Sequence, residues 1–368
     1  MSDLLGSVRA LLKLQVICID NNIFRLHYKV TVVMLVVFSL IVTSKQYFGD
    51  PIHCYEESGI HDAIIDSYCW IYSTFTVTKH FKSKVGRTAS HPGVGTFWEN
   101  KDNVKYTRYY QWVCFVLFFQ ALLFYAPRFL WKTWEGGRVK LLADDLGGPL
   151  VNENWSADRK KRILDYFKSS KIHTNNFYAL RFAACEMLNL INVIGQIYFL
   201  DKFLGGEFTS YGPSVISFLE DTSPFDREDP MTKLFPKVTK CMFRKYGPSG
   251  TIQLHDAICI LPLNVANEKI FVFLWFWFIV LAVITALALV YRAVVFLVPQ
   301  VRSFFLLAQT RFVPRCKIQL IVQKMSSGDW FFLYQLGKNL NPIIFREVIL
   351  DLPAQLEAEV EDEKSAVV

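Results

Sequence analysis

The side chains best able to do chemistry in this sequence are eight cysteines and seven histidines, and their spacing decides what that chemistry is. No cysteine pair has CxxC spacing, and the intervals from Cys54 to Cys69 and from Cys241 to Cys259 do not match those of zinc sites. The histidines are scattered. No Walker A, HExxH or GxSxG pattern occurs, and Gly93-Val-Gly95 lacks the third glycine of a dinucleotide fingerprint. The sequence therefore leads us to expect no catalytic residue, no metal and no cofactor, and we do not read it as an enzyme. What remains for the cysteines is cross-linking. Cys54 and Cys69 share one polar segment, Cys241 and Cys259 share another, and both pairs would oxidise if those segments face the cell exterior. Four cysteines allow three pairings, and spacing does not choose among them. Cys18, Cys114, Cys185 and Cys316 lie elsewhere.

The elements that position these pairs are set by the distribution of apolar residues. The chain has 368 residues, 52% hydrophobic and 15% aromatic, with the apolar residues gathered in blocks. A charge at the centre of a bilayer costs at least about 2.5 kcal/mol, so charges bound each candidate span. Tyr109 to Pro127 lies between Arg108 and Arg128, and Ile270 to Tyr291 between Lys269 and Arg292. Both are near the roughly 20 residues that a hydrocarbon core requires. Val30 to Ser44 is shorter, and its helix must run from about Arg25 to Tyr47 with Lys29 and Lys45 snorkelling. Phe182 to Leu200 has the length, but Glu186, Asn189, Asn192 and Gln196 form a polar stripe on one side of that helix. Such a stripe faces neighbouring helices or a water-filled conduit, and a buried Glu186 needs a partner or a proton.

These bounds divide the chain as follows: 1–22, an amphipathic N-terminal helix; 25–47, span one; 48–107, a first outer loop; 108–130, span two; 131–178, a cytoplasmic loop; 179–201, span three; 202–268, a second outer loop; 269–292, span four; 293–368, a cytoplasmic C-terminal region. Residues 1–20 lack the layout of a signal peptide. They place Leu4, Leu5, Val8, Leu11, Leu12, Val16 and Ile19 at helical spacing, with Arg9, Lys13 and Asp20 off the stripe. The central loop and the segment after span four are rich in Lys and Arg, while the other two loops are nearly balanced. Basic loops stay inside, so both termini are expected in the cytoplasm, and the net charge of +7 reflects this bias and not nucleic-acid binding. The sequon at Asn154 then lies inside and is expected to stay unmodified. Pro127 is either a bend or the end of its helix. Tyr246-Gly-Pro-Ser-Gly250 before the run Thr251 to Leu263 reads as a small antiparallel element in the second outer loop. Asp221, Asp226, Glu228 and Asp229 are best read as a solvated face.

Tyr109-Tyr-Gln-Trp-Val113 resembles the signature segment of the innexins, the invertebrate gap-junction proteins, nearest their arthropod innexin-two subgroup. The resemblance continues in Gly49-Asp-Pro-Ile52, Tyr68-Cys-Trp-Ile71, Trp134-Glu-Gly-Gly137, Asn192-Val-Ile-Gly-Gln196, Phe235-Pro-Lys-Val-Thr-Lys-Cys241, His255-Asp-Ala-Ile-Cys259 and Gly328-Asp-Trp-Phe331, which span nearly the whole chain. It implies an all-α membrane protein with four transmembrane helices, an N-terminal pore helix, disulfide-stapled extracellular loops with a small β element, and a helical cytoplasmic dome. It also implies the pairings Cys54 with Cys259 and Cys69 with Cys241, and a conduit lined by Met1, Ser2, Asp3, Leu4, Leu5, Arg9 and Lys13. The partners it implies are further copies in a homo-oligomeric ring, expected to be octameric, docking to a ring of an adjacent cell's plasma membrane. Other innexin subunits and membrane lipids are further partners. The function implied is a gap-junction channel passing ions and small metabolites; the alternatives are an undocked hemichannel that releases metabolites and a non-conducting four-span adhesion protein.

Overall fold

The computed structural model describes residues 17–57, 61–83, 89–98, 101–144, 146–148, 155–169, 173–220, 229–310 and 312–366. Four helices are long and apolar enough to cross a membrane: α1 (Asn22–Phe48), α3 (Val113–Glu135), α6 (His173–Phe203) and α9 (Pro262–Leu297). The fold is predominantly helical and matches the four-span class. Each span is longer than the charge-bounded interval. Span one, the shortest interval, becomes long enough because Asn21 caps α1 by accepting from the Phe24 N–H at 2.7 Å, and a π-helical stretch at Leu26–Thr31 carries the helix onward past Lys29. Pro127 lies inside α3, which continues to Glu135, so it is not the helix end.

The chain divides into two compact units, and the division falls within each span. One unit comprises residues 1–31, 123–192 and 282–368. Besides the span segments it contains the short helices α4 (Arg138–Ala143), α5 (Ala157–Ser169), α10 (Pro299–Gln309), α11 (Arg315–Lys324), α12 (Ser327–Gly337) and the long α13 (Pro342–Ala366). Their apolar faces close on one core centred on Trp131, Phe182, Trp330, Phe331, Phe332 and Ile349. Two of the motifs that carry the resemblance are local folding devices here. In Trp134-Glu-Gly-Gly137, Gly136 and Gly137 take the positive φ values that reverse the chain, and the Glu135 carboxylate accepts from the Gly137 and Val139 N–H groups to start α4. In Gly328-Asp-Trp-Phe331, a Cβ on Gly328 would lie 2.5 Å from the Asn175 backbone, and Ser326 caps α12 at the Asp329 N–H. Burial pushes the Tyr166 phenol of α5 upward, so it stays protonated and donates to Asn175 Oδ1 at 3.0 Å.

The other unit comprises residues 32–122 and 193–281. Between the span segments lie α2 (Asp62–Tyr72), α7 (Phe208–Glu220), α8 (Pro230–Leu234) and a five-stranded antiparallel sheet. The strands are β1 (His53–Tyr55), β2 (Thr74–Val77), β3 (Val104–Thr107), β4 (Val238–Tyr246) and β5 (Ile252–Ile260), in the order β1-β5-β4-β2-β3. The β4–β5 hairpin runs in register from Val238 opposite Ile260 to Tyr246 opposite Ile252, closed by the Gly247 to Thr251 turn. The sequence pointed to this hairpin but not to the helix and three strands of the preceding loop. The hairpin sits between β1 on one side and β2–β3 on the other, so the two loops form one sheet.

Candidate functional site

Two constellations stand out, one in each unit. The first is the stapled sheet. Cys54 and Cys259 lie directly opposite each other on β1 and β5 and are joined by a disulfide; Cys69, in the last turn of α2, is joined to Cys241 on β4. Sequence separations of 205 and 172 residues make both bridges links between the two loops, not within either. Cys54, Cys69 and Cys259 place their sulfurs within 4.8 Å of one another, but in disulfides they offer no thiolate to a metal. The bridges fill a small apolar core with Ile52, Ile65, Tyr110, Ala257 and Leu261. On the opposite face of β5, and at the hairpin tip, Tyr246, Ile252, Leu254, Ile258 and Ile260 are exposed.

The Tyr109–Val113 signature belongs to this constellation. Tyr109 donates to the Leu234 carbonyl at 2.9 Å. Tyr110 is fully buried against the Trp70 ring at 4.7 Å, and the Gln111 amide donates to the Trp70 carbonyl. Gln46, near the end of α1, donates in turn to the Gln111 carbonyl at 3.3 Å. The signature therefore ties the heads of two spans to α2 and α8. Val113 is buried and Trp112 exposed.

The second constellation surrounds residues 18–21. The Asn339 side chain grips both backbone groups of Cys18, accepting from its N–H at 2.6 Å and donating to its carbonyl at 2.9 Å. The Ile19 carbonyl accepts from Trp131 Nε1 at 3.0 Å and Gln335 Nε2 at 3.2 Å. Asp20 has a fully buried side chain and meets Arg25 at 3.2 Å and Arg128 at 3.3 Å. Arg128 also stacks over Tyr28 at 4.9 Å. Asn21 donates to Glu186 Oε1 at 2.6 Å, and Arg292 forks onto both Glu186 oxygens at 2.8 Å. Arg292 lies over the rings of Phe182 and Phe331 at about 5 Å. Every residue from 18 to 21 is thus held by side chains from α1, α3, α6 or α12 and the turn after it, and Arg292 of α9 in turn fixes Glu186.

Met1, Ser2, Asp3, Leu4, Leu5, Arg9 and Lys13 lie outside the described residues, as do Asp221, Asp226 and Glu228. The expected N-terminal helix over 1–22 does not extend through 17–21, because the capping Asn21 and the buried Asp20 require a non-helical approach to α1. Of the polar stripe, Glu186, Asn189 and Gln196 are buried and Asn192 half-buried. Glu186 has its partner in Arg292. The charge pattern gives Arg128 and Arg292 a place only at span ends and in the cytoplasmic charge bias, and assigns Asn21, Gln335 and Asn339 no role. The one available signal was Asp20-Asn21-Asn22 ahead of an apolar run, a capping pattern. Of the remaining thiols, Cys114 and Cys185 are buried and Cys316 exposed.

Four apolar spans whose two loops knit into one covalently locked sheet define a four-span membrane protein with a rigid loop domain. Comparison with known proteins gives the rest. The family model described as Innexin matches residues 20–356. The chain is 58% identical to innexin inx2 of Schistocerca americana over 357 residues, covering 97% of this chain and 99% of that one. It is 54% identical to innexin inx2 of Drosophila melanogaster over 366 residues, covering 100% and 98%, and 46% identical to Drosophila innexin shaking-B over 356 residues, covering 97% and 95%. The chain belongs to the innexin family, and is a gap-junction channel subunit.

Proposed function

We propose that this chain builds a homo-oligomeric ring, octameric by family resemblance, that sits in the plasma membrane with both termini in the cytoplasm and docks through its stapled sheet to a ring in the adjacent cell. Ions and small metabolites then pass down their gradients, and no catalytic step is needed. The observation that carries this reading is the sheet. Both loops are interleaved in it, two bridges lock it, and its hairpin leaves a row of apolar side chains exposed among the described residues. A surface that must meet its counterpart repeatedly and in one geometry benefits from such pre-organisation.

The grip on residues 18–21 supports a second part of the proposal, that residues 1–16 line the conduit. A segment that sets a pore's narrowest point needs an immobile root, and Asn339, Gln335, Trp131, Arg128 and Glu186 supply one. The test is dual voltage clamp of paired cells. Junctional current in pairs supports docking, current in single cells alone favours an undocked hemichannel, and current in neither favours an adhesion protein.

A further inference from the structure

Past span four the chain doubles back. α9 ends at Leu297, Val298 is extended, and Pro299 opens α10, which returns far enough for the Phe305 ring to meet Tyr291 of α9 at 5.6 Å. Tyr291 is the last residue of the charge-bounded interval of span four, directly before Arg292. The second half of α10 and the turn after it therefore lie at the depth where span four leaves the hydrocarbon and enters the headgroup layer. Two bonds to α12 hold α10 there: Trp330 Nε1 donates to the Arg302 carbonyl at 3.2 Å, and Gln309 Nε2 to the Tyr334 carbonyl at 3.4 Å.

This turn presents apolar and basic groups together. Phe304 and Ala308, one helical turn apart, are exposed on α10, and Phe312 follows with 85% of its surface open. Phe312 has a φ of +67°, a left-handed conformation that disfavours any residue with a Cβ. Its neighbours impose it. Thr310 is tied to the Leu306 carbonyl by both its N–H and its hydroxyl, Val313 is buried, and Pro314 leads into α11. The strain does nothing for the core, since the ring is aimed away from it. Between Arg292 and Asp329 the charged residues are Arg302, Arg311, Arg315, Lys317 and Lys324, with no acid among them. Arg302 is buried and Lys317 donates to the Leu350 carbonyl, whereas Arg315 is exposed beside the turn and pairs with no carboxylate among the described residues. Exposed rings next to an uncompensated cation at headgroup depth are complementary to an anionic lipid, whose acyl chains receive the rings and whose phosphate receives the guanidinium.

We propose that the turn between α10 and α11 docks on anionic phospholipid, with Phe304 and Phe312 entering the acyl region and Arg315 meeting the headgroup. Because α10 is bonded to α12, the contact anchors the helix that carries Gln335 to the membrane surface.

The full-length protein in phosphatidylcholine vesicles tests this, with the vesicles doped at matched levels with phosphatidylserine or phosphatidylcholine bearing a diazirine on the acyl chain and the adducts mapped by mass spectrometry. Expected is labelling within residues 304–315 that is about fivefold stronger from the serine lipid and is displaced by unlabelled phosphatidylserine. Arg315→Glu should lower it by about fivefold or more, the effect of removing one cation from an anionic surface. Phe312→Gly should lower it about tenfold while the thermal midpoint holds or rises, because glycine takes the positive φ without strain. The comparison of the two lipids on the wild-type protein needs neither variant. Equal labelling by both lipids, adducts confined to the spans, or undiminished labelling of Phe312→Gly would overturn the proposal. So would a photocrosslink from p-benzoylphenylalanine at position 312 to another copy of the chain, which would make a neighbouring subunit the occupant.

Discussion

Glu186 and Asp20 are carboxylates almost wholly withdrawn from solvent, and each is tolerable only because a guanidinium reaches it. Removing one partner of such a pair strands a buried charge, at a typical cost of about 3–5 kcal/mol, whereas replacing both by apolar groups is often neutral. Arg292→Met alone should therefore lower the thermal midpoint of the solubilised protein sharply, and Glu186→Leu with Arg292→Met should recover most of the loss. Equal destabilisation by single and double variants would contradict the pairing as the reason for their burial. Asn339 is the complementary case, a neutral side chain that reads backbone. Asn339→Leu leaves the Cys18 N–H and carbonyl without those bonds, worth about 1 kcal/mol each. We expect altered voltage dependence at normal surface delivery, measured by clamp and surface biotinylation; wild-type gating would remove Asn339 from the root.

Among the elements, the stapled sheet carries the sharpest expectation. Loss of a native disulfide typically costs about 2–5 kcal/mol, and a loop domain with so small a core has little to spare. Cys54→Ser, Cys69→Ser, Cys241→Ser and Cys259→Ser should each abolish coupling between paired cells, while Cys316→Ser, at an exposed position of α11, should leave it intact. Much of this architecture could be read before the fold was seen, for a physical reason. Charges such as Arg108, Lys269 and Arg292 are costly in lipid, so the four spans announce their positions, although the helices run on past those charges. The β4–β5 hairpin showed itself through its Gly-Pro-Ser-Gly turn. What stayed hidden depends on contacts distant in sequence. Strand β2 pairs with β4 from a different loop, and α2 is held by Gln111 and Tyr110 at the head of a span. The signature Tyr109–Val113 named the family yet gave no hint that its work is to secure a loop. At residues 18–21 the partners come from both ends of the chain, as in the separation of 321 residues between Cys18 and Asn339. Local pattern cannot reveal such contacts.

For the whole molecule, the two units divide the work proposed for a junctional channel: one holds the root of the N-terminal segment, and the other presents a rigid sheet. Deleting residues 2–16 should change conductance or gating while delivery to the surface persists; unchanged currents would remove that segment from the conduit without touching the docking claim. The central claim is that the disulfide-locked sheet joins two cells through this protein. Dual voltage clamp of cell pairs tests it most directly, comparing the wild-type chain with Cys241→Ser at matched surface levels. Junctional current is expected between wild-type pairs and none when either cell carries the variant. Undiminished junctional current through the variant, or its absence from wild-type pairs, would contradict it.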